Sequence, residues 1–169
     1  MRAPGTASSL GRGRTSTSSL FLAPGARKSG AAYSGTDDTP HFASIAPRIT
    51  VLQPGRCEAR IAHRRRVSNH IGTVHAIALC NLAELAGGVM VDASLPPSMR
   101  WIPKGMRVEY RSKANGTMHA VATPDVAIVA ADSGYELPVS VEIRDAREQV
   151  VFFASIAMWV SPRAKAATG

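Results

Sequence analysis

Residues 74–91 read VHAIALCNLAELAGGVMV, and this stretch decides the fold. Its Ala, Leu, Ile and Met content favours a helix, and its 18 residues include one acid, Glu84, and no base. A helix that is apolar nearly all round is a buried helix. Gly87 and Gly88 lower helix propensity, so their presence here indicates close approach by another backbone. The following LPPS at 95–98 ends the helix because proline cannot continue it.

The residues before the helix predict two strands. Residues 49–52 are apolar and lead into a Pro54-Gly55 turn. Apolar and polar side chains then alternate over residues 57–62, which is the period of a strand with one buried face.

Four strand-like segments follow the helix. Apolar and charged residues alternate over 106–111, and Asn115-Gly116 predicts a hairpin turn into residues 117–122. Residues 126–130 fit a strand continuation or a bulged link. A second hairpin is predicted between 137–144 and 149–160. One long buried helix in a strand-rich chain predicts an α+β domain in which an antiparallel sheet wraps around a central helix.

Length and composition predict one domain with a tail. The chain has 169 residues, 45% of them hydrophobic, and 20 basic against 12 acidic side chains, for a net charge of +8. Residues 1–40 are basic, rich in Ser, Gly and Ala, and predicted to be disordered, with organelle targeting as a second interpretation. The domain is predicted at 41–162, followed by a C-terminal tail at 163–169.

Several classes of site are not expected. Cys57 and Cys80 form no Cys-x-x-Cys and no Cys/His cluster, so no metal site is predicted, and a cytoplasmic location is the default. The longest apolar runs, such as 150–160, are shorter than the roughly 20 residues of a membrane span. Nucleic acid is not an expected partner, because the five basic residues of 1–36 lack interleaved aromatics. A nucleic-acid binder that uses this tail remains a third hypothesis.

Glu84 is the first candidate for chemistry. A carboxylate on a buried helix is costly unless it is paired, hydrogen-bonded or protonated. It shares a helix face with Asn81 and Gly88, which makes a narrow polar stripe. Glu84 is therefore either a structural partner of an arginine or of solvent, or a base or nucleophile.

The second candidate is the motif NHIGTVH at residues 69–75, where the chain enters the helix. Gly72 and Thr73 suit a tight turn, and Thr73 is the predicted N-cap of a helix that begins near Val74. Free N–H groups at a helix start can polarise a carbonyl oxygen or hold an anion. Ordinary capping is the alternative interpretation of Asn69 and His75.

Helix geometry separates the two candidates. Glu84 is nine residues beyond His75, which places it roughly 13 Å along the same helix. One chain cannot easily bring Glu84 to its own helix start. A site that uses both must combine two copies, so a homodimer with two equivalent sites is predicted.

Together these residues carry a family resemblance. Asn69-x-x-Gly72-Thr73-x-His75, followed by an acid at Glu84, resembles the active-site signature of hotdog-fold acyl-CoA thioesterases, in the branch of the phenylacetate-pathway and mammalian thioesterase-superfamily enzymes. Residues 41–162 are similar in particular to a bacterial family of hotdog thioesterase-like proteins of unknown function. That similarity includes the stretches 69–78 and 100–106.

The resemblance implies a fold, an activity and roles for single residues. The fold is a hotdog, with a sheet curled around the helix and continued into a second subunit, often assembled further into tetramers. Glu84 would attack the thioester or activate water, Asn69 would position that water or carboxylate, and His75 with the Ala76 N–H would polarise the carbonyl. The substrate-binding residues are then Gly72, Thr73, Ala76, Asn81, Arg64, Arg65 and Arg66. The three arginines would contact the phosphates of coenzyme A, and the alternative is that they form only a solvated face.

Three departures accompany the resemblance. The better-known enzymes have Gly-Gly after the histidine where this chain has Ala76-Ile77, many have Asp in place of Glu84, and some carry a Ser or Thr with no match near Pro103-Lys104. Acyl-CoA is the expected substrate, acyl-carrier-protein thioesters are the alternative, and no cofactor is expected apart from the coenzyme A of the substrate. The alternative function is a non-catalytic hotdog module that binds acyl-CoA or a protein.

Overall fold

The computed structural model describes residues 40–164. The predicted tails, 1–40 and 163–169, therefore lie outside the described residues except at Pro40, Arg163 and Ala164. The elements in chain order are helix α1 (Pro40–Ala43), strands β1 (Arg48–Gln53) and β2 (Arg56–Ile61), a 3-10 turn (Arg65–Val67), helix α2 (Ala76–Ser94), and strands β3 (Met99–Tyr110), β4 (Met118–Pro124), β5 (Tyr135–Arg144) and β6 (Val150–Pro162).

The six strands form one antiparallel sheet in the order β1-β2-β4-β5-β6-β3, with α2 packed across its inner face. This confirms the predicted α+β architecture of one sheet around one long helix. The core lies between α2 and the inner face, where Leu82 and Met90 are fully buried together with Phe152, Ile156 and Met158 of β6. α2 ends at Ser94, and Leu95 is its C-cap directly before the two prolines, as the sequence predicts.

The predicted hairpin at Asn115-Gly116 is wrong. β3 pairs with β6, whereas β4 pairs with β2 and β5. Gly116 does have φ +78°, the geometry that its turn requires. The chain uses that turn to cross from the edge of the sheet to its centre, because local turn chemistry sets the path of a loop and not the partners of the strands it joins.

The second hairpin is confirmed. β5 and β6 pair from Tyr135 opposite Val160 to Arg144 opposite Val150, and the Asp145 carboxylate closes the turn by accepting from the Arg147 and Gln149 N–H groups. Residues 126–130, for which two interpretations were open, belong to neither strand and form part of the irregular loop between β4 and β5.

α2 is buried on one side and not all round, which corrects the prediction. Ile77, Glu84 and Asp92 are exposed, and Cys80 and Asn81 are half-buried, so they form an open stripe along the helix.

The length and apolar content of α2 would also suit a membrane span. However, 61% of its most apolar window is buried inside the domain, as in the core helix of a globular protein.

The two glycines of α2 are explained by side chains and not by a second backbone. A Cβ on Gly87 would lie 3.0 Å from Cδ1 of Ile156, and a Cβ on Gly88 would lie 3.0 Å from Cη2 of Trp101. Both distances are shorter than an ordinary van der Waals contact. Glycine therefore lets β6 and β3 approach the helix closely.

Candidate functional site

Asn69 organises the tight turn that precedes α2. Its Oδ1 accepts from the N–H groups of Ile71 at 3.1 Å and Thr73 at 3.0 Å, and its Nδ2 donates to Oγ1 of Thr73 at 2.8 Å. The Asn69 N–H also donates to the Thr73 carbonyl oxygen, and Gly72 has φ +78°. The Asn69 side chain thus makes three hydrogen bonds within the turn. One Nδ2 proton has no partner among residues 40–164.

The N-cap of α2 is His75, and the prediction of Thr73 is wrong. The helix begins at Ala76, and Nδ1 of His75 accepts from the Ile77 N–H at 3.1 Å. A ring nitrogen that accepts must be unprotonated, so the proton of the neutral ring is on Nε2. His75 is exposed, and its Nε2–H is available as a donor.

The Ala76 N–H is the unpaired donor of this helix start. The Val74 N–H donates to Ala114, the His75 N–H to Val67 and the Ile77 N–H to the His75 ring. Within the described part of the chain, the Ala76 N–H has no acceptor. The first N–H groups of a helix carry partial positive charge, so this position attracts an electronegative oxygen.

A cavity of about 390 Å³ lies beside this helix start. It lies between the turn with the first helical residues and the segment that follows β3, and its lining residues are Asn69, Ile71, Thr73, Val74, Ala76, Leu79, Tyr110, Arg111, Ser112, Lys113 and Ala114. Residues 110–114 were not predicted as site residues. No local pattern marks them, since only the crossover after β3 brings them beside the turn. The Ser112 Oγ is buried without a hydrogen-bond partner in the described chain.

Arg111 and Lys113 line the cavity and make its rim cationic, and three arginines precede the turn in the chain. Arg64, Arg65 and Arg66 are exposed on and before the 3-10 turn that leads to the site, and none forms an ion pair among the described residues. Lys113 is also exposed and unpaired there, while Arg111 pairs with Glu109 at 3.0 Å. The sequence has no acid between residues 59 and 83 or between 110 and 124. An anionic ligand is therefore favoured at this end of the molecule.

Glu84 is exposed, which corrects the expectation that it is buried. Its carboxylate has no hydrogen bond or ion pair with the described residues. It follows Ala76 by eight residues, about 12 Å along the axis, with half-buried Asn81 one turn before it. Within this chain the helix start and the carboxylate are therefore far apart.

Neither cysteine has the environment of an activated nucleophile. Both thiols are free, and burial, with a contribution from the Glu58 charge, raises the pKa of Cys57 to about 12. The Sγ of Cys80 lies 3.4 Å from the Tyr110 hydroxyl, and this hydrogen bond raises the pKa of Tyr110 to about 12. Tyr110 therefore stays protonated at neutral pH.

Loss of the histidine cap has a measurable cost. His75→Ala is expected to lower the free energy of unfolding by about 0.5–2 kcal/mol, because the Ile77 N–H loses its acceptor. His75→Asn is the matched control, since asparagine caps well, and it should recover most of that loss. Urea denaturation measures both. Equal stability of all three proteins would show that the imidazole does not cap the helix in solution.

Comparison with known proteins identifies the family and the fold. A family model described as a domain of unknown function, DUF4442, matches residues 34–160. A structural-genomics crystal structure, APC5556, is 50% identical to this chain with a TM-score of 0.68, and the match covers 75% of this chain and 84% of that one. A search of curated proteins finds no significant match.

Two more distant structures share the fold. PA5026 from Pseudomonas aeruginosa, a protein of unknown function described as a probable thioesterase, has 23% identity and a TM-score of 0.67, with 75% of this chain and 90% of that chain covered. The thioesterase HI1161 from Haemophilus influenzae has 16% identity and a TM-score of 0.63, with 75% and 85% covered. These likenesses confirm the hotdog fold.

Proposed function

The chain belongs to the DUF4442 family and has the hotdog fold, and on that premise we propose that it hydrolyses acyl-CoA thioesters at a site shared by two protomers. The observation that carries this proposal is the unpaired Ala76 N–H in the wall of the cavity. Beside it, His75 caps the helix through Nδ1 and leaves Nε2–H as a second donor. Two donors at one helix start suit the oxyanion of an acyl-transfer reaction.

The carboxylate of Glu84 supplies the base in this scheme. It takes a proton from water, the hydroxide oxygen bonds to the thioester carbon, and the carbonyl electrons move to the oxygen held by Ala76 and His75. The electrons on that oxygen then re-form the carbonyl as the C–S bond breaks, and the departing sulfur takes up the proton from Glu84. Direct attack by Glu84, with a mixed anhydride that water hydrolyses, is the alternative route. Thiolate is a good leaving group, so oriented donors and one carboxylate supply the main catalytic contributions.

A second copy of the chain is proposed to complete the site. β3 is an edge strand of 12 residues, and on its inner face Met106 and Tyr110 are 37% and 54% exposed. Ile77, on the open stripe of α2, is 58% exposed. Antiparallel pairing of β3 with β3 of a twofold-related copy would satisfy the free strand edge and cover these apolar side chains. Glu84 of one protomer would then face the Asn69–Ala76 turn of the other, and further pairing into a tetramer is compatible with this dimer.

The cationic rim favours coenzyme A as the thiol carrier. Lys113 and Arg64–Arg66 carry charges that no acid of the described chain neutralises. Coenzyme A presents phosphates, which arginine binds through paired donors and lysine as a point charge. No cofactor enters the scheme, because the coenzyme A belongs to the substrate. An intracellular, cytoplasmic setting, where coenzyme A thioesters occur, fits this proposal.

The test is release of free thiol from short, medium, long and aromatic acyl-CoAs by the purified full-length protein, with acyl-carrier-protein thioesters as a parallel series. Turnover of one acyl-CoA class supports the proposal. Faster turnover of the carrier-protein series would indicate that acyl-carrier protein, and not coenzyme A, carries the acyl group. Binding of acyl-CoA without turnover of any thioester would favour the non-catalytic module. A monomeric mass at micromolar concentration would contradict the shared site.

A further inference from the structure

β3 contacts α2 at two places, and between them Met106 of the strand and Glu84 of the helix are exposed. At one end the Trp101 ring packs against Gly88, and its Nε1–H donates to Oδ1 of Asp92 at 2.5 Å. At the other end the Tyr110 hydroxyl meets Cys80 at 3.4 Å. The space between these two contacts, along the helix from residue 80 to residue 88, is called here the Glu84 groove.

Glu84 lies midway along this groove. It is four residues from Cys80 and four from Gly88, about 6 Å along the helix axis in each direction. On the helix side of the groove Glu84 is exposed, whereas Gly88 is buried beneath the Trp101 ring. The carboxylate therefore opens onto a space that ends at Trp101.

The strand side of the groove is apolar. Trp101, Met106 and Val108 pair directly with buried residues of β6, so their side chains point to the same inner face. Met106 is 37% exposed and Val108 is half-buried, so neither is fully covered by the helix. In the proposed dimer the second copy encloses this surface, and an enclosed apolar surface beside the proposed catalytic carboxylate suits an acyl chain better than a phosphate or a pantetheine amide.

The backbone of β3 changes register within the groove. The pairing with β6 shifts between Pro103 and Gly105, and Lys104 has no opposite partner. A Cβ placed on Gly105 would meet no atom within 4 Å. A β-bulge of this kind bends a strand and re-aims its side chains. Here it lies between Trp101, whose ring contacts the helix at Gly88, and Met106, whose side chain is 37% exposed.

We propose that Trp101 is the specificity-determining residue of the proposed reaction, the wall at which the acyl chain ends in the Glu84 groove. The inference rests on the proposed function for the identity of the ligand. Two contacts position the indole: Nε1 donates to Oδ1 of Asp92, and the ring lies against the backbone of Gly88. The site therefore selects short or compact acyl groups and rejects chains that would have to displace the indole.

The chain offers a matched control, because its second tryptophan lies on the other face of the same sheet. Trp159 pairs with Ile102, which is 52% exposed, and Trp159 is itself 37% exposed, packed against Gly134 on the outer face. The readout is kcat/KM for an acyl chain two carbons longer than the best wild-type substrate, divided by kcat/KM for that substrate. Trp101→Ala should raise this ratio on the order of tenfold, because removal of the indole makes room for methylenes that the wild type cannot bind. Trp159→Ala should leave the chain-length profile unchanged. Trp101→Leu, which keeps apolar contact with Gly88, serves if the alanine variant does not fold.

Tryptophan fluorescence gives a readout that does not depend on turnover. In Trp159→Phe the sole indole is Trp101, and its emission should change on addition of acyl-CoA but not of free coenzyme A. In Trp101→Phe the emission of the remaining Trp159 should not change on addition of acyl-CoA. An unchanged chain-length profile in folded Trp101→Ala and Trp101→Leu, or silence of Trp101 while calorimetry records acyl-CoA binding, would overturn the proposal. If no variant hydrolyses a thioester but substitution of Trp101 changes the chain-length preference in binding, the proposed hydrolysis is wrong and the proposed role of Trp101 is supported.

Discussion

Glu84→Gln is expected to lower kcat for acyl-CoA hydrolysis by about 10²–10⁴-fold, because the amide can neither take a proton from water nor attack the thioester. The substitution is nearly isosteric, and Glu84 is exposed with no partner among the described residues, so the fold should be unaffected. Thiol release under saturating substrate measures kcat. Acyl-CoA binding should remain within a few fold of the wild type, since the carboxylate acts on the reacting carbon and not on the carrier.

The matched control is Glu136→Gln. Glu136 is also exposed, but it pairs with Trp159 on the outer face of the sheet, away from the helix. It should retain wild-type kcat. If Glu84→Gln and Glu136→Gln are equally active, Glu84 is not the catalytic carboxylate, and the acid must come from another part of the molecule.

Ala76→Pro is expected to reduce kcat by about 10²–10³-fold, the usual cost of losing one oxyanion donor. Ala76 is the first residue of α2, where proline is well tolerated and where the removed N–H has no intrahelical partner. His75 has φ −66° and ψ 140°, an extended conformation that the residue before a proline can keep. The variant therefore deletes the proposed donor without breaking the helix.

The bulk of the proline ring is controlled by Ala76→Val. Valine adds two carbons to the same half-buried position but keeps the N–H, so it should be far more active than the proline variant. Unfolding in urea should show Ala76→Pro close to the wild type in stability. Full activity of a stable Ala76→Pro protein would remove the Ala76 N–H from the mechanism, and with it the observation on which the proposed function depends.

What the sequence could predict follows from how local each signal is. The 18-residue apolar run predicts α2, and the alternation around Asp145 predicts the β5–β6 hairpin, because in both cases neighbours in sequence are also neighbours in space. The turn at Asn69–Gly72 was predictable for the same reason: a left-handed glycine and an asparagine that bonds its own loop are local chemistry.

The errors concern contacts that are distant in sequence. Asn115-Gly116 carries a strong turn signal, yet the strands it joins take other partners, since β6 begins 34 residues beyond Gly116 and competes for β3. The same crossover brings residues 110–114 to the cavity, and no local pattern could place Lys113 or the buried Ser112 hydroxyl beside Asn69.

The predicted N-cap at Thr73 and the predicted burial of Glu84 are wrong for different physical reasons. Thr73 is the better capping residue by type, but its hydroxyl is already bonded to Asn69, and this leaves the role to the His75 ring. Glu84 looks buried in a one-dimensional pattern because α2 has few polar residues. Its exposure depends on which face of the helix the sheet covers, and β3 leaves that face open over the middle of the helix.

Subunit mixing tests the central claim most directly. Glu84→Gln and Ala76→Pro proteins are each nearly inactive, but a heterodimer of the two contains one site with an intact Glu84 from one protomer and an intact Ala76 N–H from the other. Random exchange of equal amounts makes half the dimers mixed, with one of two sites intact, so activity should recover to about a quarter of the wild-type value. Thiol release after unfolding and refolding the mixture together measures this recovery. No recovery, in a mixture shown to contain heterodimers and in which refolded wild-type protein regains its activity, would show that the site is not shared between protomers.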